Sequence, residues 1–271
     1  MSLLDEGVEK IYKESLEEQT HFIQTICKDV REVDLPILFD LKAFYVPNDE
    51  FMIDYFGAAI VSPAFDCYDY LGVCKWKYHL VLPIRDVMGT IVGFTGYNPY
   101  VDIYNKQRKS LRESDKLDSM EELKNKFPDI ATMARYKESS SVLMDKSKFF
   151  ICPLGFDKAL EDGYIILVDG FFDCLSLAQD GYNSISILGS SITEYIRFCL
   201  SLVRVIYVAY DNDSAGKNLF NRMKSIHPRV YSITQSKCKD IDEFRKKYPS
   251  QFHEGMKQIS SKMPMSFSLK A

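Results

Sequence analysis

From Tyr164 to Lys247 short apolar runs alternate with stretches of helical spacing, and this alternation constrains the fold more than any other feature of the chain. The runs are Tyr164–Val168, Ser184–Leu188, Val203–Tyr210 and Val230–Ile233. They are strand-length and rich in Val and Ile, as strands buried on both faces are. Phe172–Gln179 (closed by Gly181), Thr193–Leu200 and Ala215–Ser225 fill the gaps with helix patterns, and Ile241–Lys247 is expected to complete the unit. Strands alternating with helices connect in parallel, so residues 161–250 are expected to form an α/β domain, a mainly parallel sheet flanked by helices. In the helix after Asp213, Ala215, Leu219, Met223 and Ile226 form one stripe, with Lys217, Asn221 and Lys224 opposite.

Two acidic motifs follow directly on apolar runs: Asp169-Gly170-Phe171-Phe172-Asp173 and Asp211-Asn212-Asp213-Ser214-Ala215-Gly216. Ligands of parallel sheets gather beyond the carboxyl ends of the strands. Four carboxylates brought there would repel one another unless divalent cations neutralised them, and all-oxygen ligands suit Mg²⁺ or Mn²⁺. Paired ions of that kind serve phosphoryl transfer. Plainer roles stand beside this one. Asp213 and Asp240 each sit where they can N-cap the helix that follows, and Asp169 lies in a strand-to-helix turn where it can do the same.

Asp169-x-x-x-Asp173 followed by Asp211-x-Asp213-x-x-Gly216 resembles the TOPRIM domain of primases, topoisomerases and some nucleases. Further segments, in order, resemble DnaG-type bacterial and phage primases. Pro83-Ile84-Arg85-Asp86 to Gly93-Phe94 is similar to a family hairpin, and Arg135-Tyr136 to Ser139 is a weaker match to Lys-Tyr-Leu-Asn-Ser. Leu154–Ala159 is similar to Tyr-Gly-Leu-x-x-Ala, Leu188–Thr193 to Leu-Gly-Thr-Ala-Leu-Thr, and Lys239–Phe244 to Lys-Asp-Pro-Asp-Glu-Phe. The resemblance implies a TOPRIM domain preceded by an α+β primase-core subdomain. It implies a catalytic role for Asp169, Asp211 and Asp213, and two or more Mg²⁺ or Mn²⁺ ions held by these with Asp173, Asp240 and Asp242. The family's usual first acid is Glu, one methylene longer than Asp169. The activity implied is RNA primer synthesis on a single-stranded DNA template from ribonucleoside triphosphates. A TOPRIM nuclease and a non-catalytic replication subunit are the alternatives; a topoisomerase is disfavoured, with no large DNA gate and no tyrosine in an evident nucleophile context.

The expected organisation is an N-terminal helical segment over 1–34, a subdomain over 35–160, the TOPRIM domain over 161–250 and a tail over 251–271. Residues 4–30 read as one amphipathic helix, residues 79–96 as a hairpin, and residues 100–130 as an exposed, partly mobile insertion with helix formers at Ser119–Lys126. No run has the length and apolarity of a membrane span, and the polar, acid-rich start does not read as a signal peptide. The expectation is a cytoplasmic protein with no membrane contact. The seven cysteines include no Cys-x-x-Cys, so no zinc is expected, and they read as reduced, buried thiols. The expectation is a catalytic core alone, without the zinc-ribbon and helicase-binding modules of the family, and with a replicative helicase or a separate zinc-ribbon protein as a partner.

A net charge of −4 argues against a nucleic-acid surface, but the distribution does not. Ser214 to Lys239 carries six Lys or Arg and no acid. Arg85, Arg135, Lys137, Lys146, Lys148 and Lys217 are the candidates for phosphate contacts. Solvated surface charge is the plainer reading of each taken singly. Tyr136 reads first as a core tyrosine, with base stacking as the other role.

Overall fold

The computed structural model describes residues 3–26, 35–47, 50–57, 79–113, 117–126, 136–138, 146–148, 150–188, 192–260 and 264–271. The chain divides into two compact units, Met1–Ile84 with Ile91–Lys146, and Arg85–Thr90 with Ser147–Ala271.

The first unit opens with helices α1 (Leu3–Glu14) and α2 (Leu16–Ile26), followed by the short α3 (Leu35–Asp40) and α4 (Phe51–Phe56). The single leading helix expected over 4–30 is therefore two. They part at Ser15, whose hydroxyl donates to the Ile11 carbonyl at 2.9 Å, a back-bond that competes with the helix ladder. Strands β1 (Phe44–Tyr45), β2 (Leu80–Arg85), β3 (Ile91–Tyr97) and β4 (Tyr136–Glu138) form a sheet in that order. The β2–β3 turn is the expected hairpin. Asp86 Oδ1 accepts from the Met88 and Thr90 amides, and Gly89 takes the positive φ of 79° that closes it. Phe94 packs edge to face on both Phe44 and Phe56, and those two rings meet at a tilt. Within the insertion expected over 100–130, the described residues form α5 (Pro99–Glu113), which was not expected, and α6 (Leu117–Lys126), which agrees with the helix formers at Ser119–Lys126; the two bury Val101, Tyr104 and Leu123. Charge at half of the other positions hid that narrow apolar stripe.

The second unit alternates α7 (Phe156–Asp162), β5 (Tyr164–Val168), α8 (Phe171–Gln179), β6 (Ser184–Ser186), α9 (Glu194–Ser201), β7 (Val205–Ala209), α10 (Ser214–Ile226), β8 (Val230–Gln235) and α11 (Ile241–Lys247). All four strands pair in parallel, in the order β6-β5-β7-β8. The period of two then sorts the side chains. Ile165, Leu167, Ile206 and Val208 join Ile196, Leu200, Leu219 and Met223 in one core cluster. Leu219 and Met223 are the buried stripe expected of α10, while Lys217, Asn221 and Lys224 are exposed. Each fully buried aliphatic side chain contributes about 1.5–3 kcal/mol, so β5 and β7 are the stable floor on which the loops beyond them rest.

The unit does not end at Lys247, as the sequence reading had it. Helix α12 (Pro249–Met256) and a fifth strand, β9 (Phe267–Leu269), follow, and β9 pairs in parallel with β8. Three residues are too few to show a period, yet Phe267 and Leu269 are buried and Ser268 is exposed. Phe267 packs edge-on against Tyr207 at 6.1 Å between ring centroids. None of the helices in the described residues is long and apolar enough to cross a membrane.

Candidate active site

The crossover leaving β5 leads to β6 on one side, while β7 leads to β8 on the other, so the strand order reverses between two adjacent strands. That is a topological switch point, where a crevice opens beyond the carboxyl ends. Asp169 directly follows β5, and Asp211 follows β7 by two residues, with Leu167 level with Val208. The carboxyl end of β5 is pinned by Ser186, whose hydroxyl donates to the Asp169 carbonyl at 3.0 Å. Asp169 itself is exposed and does not cap α8. The N-cap is Gly170, which makes no side-chain cap bond.

The Asp211–Gly216 loop folds back on itself. The Asp213 amide donates to the Asp211 carbonyl at 2.7 Å, a three-residue turn. Asp213 Oδ1 then accepts from the Gly216 amide at 2.8 Å and caps α10. The capping role of Asp213 is thus realised, using one of its two oxygens. Gly216 explains the spacing of the motif: a Cβ there would lie 2.5 Å from the Asp211 carbonyl oxygen and 2.9 Å from Tyr210 Cβ. Backbone that close has nowhere to go. Gly216→Ala is expected to destabilise the protein by about 1–3 kcal/mol, the usual cost of overpacking, read from urea denaturation; unchanged stability would mean the loop is not held as described.

Asn212 ties this loop to the next one. Its side-chain amide donates to the Gln235 and Cys238 carbonyls at 2.8 and 3.0 Å, and its own N–H donates to the Lys239 carbonyl at 3.2 Å. Gln235, buried, donates to the Tyr210 and Lys239 carbonyls. Asp240 Oδ1 caps α11 through the Glu243 amide at 2.8 Å, and Glu243 Oε2 accepts from the Lys239 amide at 2.7 Å. This reciprocal pair resembles a capping box, and it realises the capping reading of Asp240. Asp242 accepts from the Ser176 hydroxyl at 2.6 Å and pairs with Lys246 at 2.8 Å. Its amide donates to Asp173 Oδ1 at 3.4 Å, which brings α8 and α11 together. Arg245 reinforces that join through a two-point ion pair with Asp180.

Five of the six predicted acids therefore crowd one region: Asp173, Asp211 and Asp240 act on one another electrostatically, with Asp213 and Asp242 beside them. Burial, then Asp240, Asp242 and Asp211 in turn, push the Asp173 carboxyl up to about 7. Burial also raises Asp211, against the pull of Lys239, whose ammonium lies 3.2 Å from Asp211 Oδ2. The donor set offers only oxygen and an excess of negative charge, which fits a hard divalent cation. In the side-chain positions seen, no three His, Cys, Asp or Glu among the described residues converge to share one ion. The reason is local: Asp213 and Asp240 turn to their caps, Asp211 to Lys239, and Asp242 to Ser176 and Lys246.

Residues 166–245 match the Toprim-like family. The DNA primase of Aquifex aeolicus (strain VF5) is 27% identical over 178 residues, covering 62% of this chain and 30% of that protein. The crystal structure of the zinc-binding and RNA polymerase domains of Aquifex aeolicus primase superposes with a TM-score of 0.69 at 18% identity. It covers 96% of this chain and 62% of the other. A DnaG primase catalytic domain bound to single-stranded DNA superposes with a TM-score of 0.60 at 18% identity, over 87% of this chain and 71% of its own. The chain has the fold of a DnaG primase catalytic core, with a Toprim-like domain over residues 166–245. It spans 30% of the length of the curated relative described above.

The basic candidates fall in both units. In the second unit, Lys217 is exposed on the first turn of α10, and Lys148 lies 5.6 Å from the Tyr195 ring centroid. Arg85 donates to the Gly89 carbonyl at 2.7 Å within its own turn. In the first unit, Lys137 sits in β4 opposite Gly96, beside Tyr136 opposite Tyr97, and Lys146 opens a short 3-10 turn. Arg135 lies outside the described residues. Sequence reasoning missed Asn212, Gln235 and Ser176, which position the acids of the Toprim-like domain. Asn212 had a signal, an amide flanked by two acids in a loop between strand and helix; Gln235 and Ser176 had none.

Proposed function

We propose that this chain synthesises short RNA primers on single-stranded DNA, transferring nucleotides from ribonucleoside triphosphates in a metal-dependent reaction. The observation that carries this is the convergence of the Asp169, Asp173, Asp211 and Asp213 segments beyond two neighbouring parallel strands, in a fold shared with primase cores. The 27% identity to a protein named DNA primase supports it. Asp211 and Asp213 would hold Mg²⁺ or Mn²⁺, two or more ions, with Asp173, Asp240 and Asp242 in support. Such ions activate a hydroxyl and neutralise charge on the transferred phosphate. Asp169, exposed at the end of β5, would hold an ion or take the proton of the attacking 3′-hydroxyl. The amides opening α10 and the exposed Lys217 favour the anionic phosphates of nucleotide or template. A replicative helicase or a zinc-ribbon protein would bring the core to its template.

The test is incubation with single-stranded DNA, Mn²⁺ and labelled ribonucleotides. Short labelled RNA is expected; fragmented DNA would replace synthesis with hydrolysis, and neither product would favour an accessory subunit. Asp169 sharpens it. Because its carboxyl makes no helix cap, Asp169→Glu should keep or raise activity, whereas Asp169→Ala should abolish it. Full activity of Asp169→Ala would remove this residue from the mechanism.

A further inference from the structure

Lys239 is fixed at one end and loose at the other. Its amide donates to Glu243 Oε2 at 2.7 Å, and its carbonyl accepts from the Asn212 amide at 3.2 Å and from Gln235 Nε2 at 2.9 Å. The backbone is thus clamped between the Asp211–Gly216 loop and the start of α11. The side chain, 73% exposed, reaches back so that Nζ stands 3.2 Å from Asp211 Oδ2 and 3.9 Å from Asp240 Oδ2. Lys246 makes a different kind of pair. It is 26% exposed, bound to Asp242 on its own helix, and that carboxylate is also held by Ser176. Exposed ion pairs of the Lys239 kind are weak and readily exchanged.

We propose that Lys239 is a tethered counter-ion that competes with a divalent cation for Asp211 and Asp240, so that metal enters by displacing its ammonium group. This deepens the reading of the acidic cluster as a metal site and rests on it. An ammonium 3.2 Å from Asp211 Oδ2 occupies space that a bound ion would need. Two cations on one carboxylate oxygen repel, and the lysine is the one free to leave, because its side chain swings into solvent without disturbing the clamp. In the absence of metal it offsets the repulsion between Asp211 and Asp240; in its presence it sets how tightly the ion is held.

Calorimetric titration of the full chain with Mn²⁺ alone, without nucleotide or DNA, tests this. Lys239→Met and Lys239→Gln are each expected to bind Mn²⁺ about tenfold more tightly than the wild type, the scale of one unit charge removed at this distance where water screens the exposed ammonium group. Lys239→Arg, which keeps the charge, is expected to stay close to the wild type. Two neutral variants guard against one that misfolds, with circular dichroism as the check. Unchanged or weaker Mn²⁺ binding in folded neutral variants would overturn the proposal while leaving the metal site standing. Wild-type binding that Asp211→Asn leaves undiminished would overturn the metal reading of this cluster, and the proposal with it.

Discussion

Asp173→Asn is expected to make the metal-free protein more stable at pH 8 and to bring little gain at pH 4. The carboxyl of Asp173 titrates at about 7 in the folded chain, against 3.8 for an unperturbed aspartate. Its folded pKa is raised, so well below 3.8 both states hold the proton and the site costs nothing. As pH rises through the interval from 3.8 to about 7, the unfolded chain releases the proton and the folded chain keeps it, and stability falls. Above that interval the full penalty is present, on the order of 4 kcal/mol for a shift of this size. The cause is burial first, then the charges of Asp240, Asp242 and Asp211. Asn removes the charge and keeps an oxygen for the Asp242 amide, which Asp173 Oδ1 now accepts at 3.4 Å. Urea denaturation at pH 4, 6 and 8 in the presence of a chelator measures the curve. Adding Mn²⁺ at pH 8 should stabilise the wild type more than the variant, since the ion supplies the neutralisation that Asn has already provided. A flat pH dependence of the wild-type minus variant difference would remove the acidic crowding from the account.

The sheet was legible because β5 and β7 are buried on both faces, so every position in them had to be apolar, and such runs stand out against charged helices. Asp169 and Asp211 were legible for the same reason: an acid immediately beyond such a run marks the carboxyl edge of the sheet. β9 was not legible, because three residues with two buried side chains carry no period, and what holds it is pairing with β8 from far along the chain. The break at Ser15 likewise depends on one hydroxyl-to-carbonyl bond rather than on proline or glycine. At the site, sequence named the acids but not what each side chain does without metal. Capping and metal holding call for the same residue type at the same place, and only geometry separates them. Asp213 and Asp240 cap, Asp169 does not, and Asn212 welds the two loops through side-chain bonds that no periodicity encodes.

Asp211→Asn and Asp213→Asn are expected to reduce primer synthesis by about a hundredfold to a thousandfold or more, the scale on which loss of one charge-stabilising group acts, while leaving the fold intact. The structure gives separate reasons for each fold to survive. Asn is as good an N-cap as Asp, so Asp213→Asn retains the bond to the Gly216 amide that opens α10. Asp211→Asn loses the pairing with Lys239, but that lysine is mostly exposed and the loop is held by Asn212 and by backbone bonds rather than by the carboxylate. Asp211 is also a group whose charged form burial disfavours, so neutralising it relieves a cost in the metal-free chain. Activity and stability should therefore part: synthesis from labelled ribonucleotides falls steeply, while circular dichroism and the urea midpoint stay at or above wild-type values. The two variants should also differ from Gly216→Ala, which leaves every carboxylate in place but forces a methyl group against the Asp211 carbonyl, and so should lose stability along with activity. If Asp211→Asn instead unfolded the protein, the carboxylate would be a structural strut of the loop. If it folded and still made primers at the wild-type rate, the chemistry would have to reside elsewhere than at the switch point between β5 and β7.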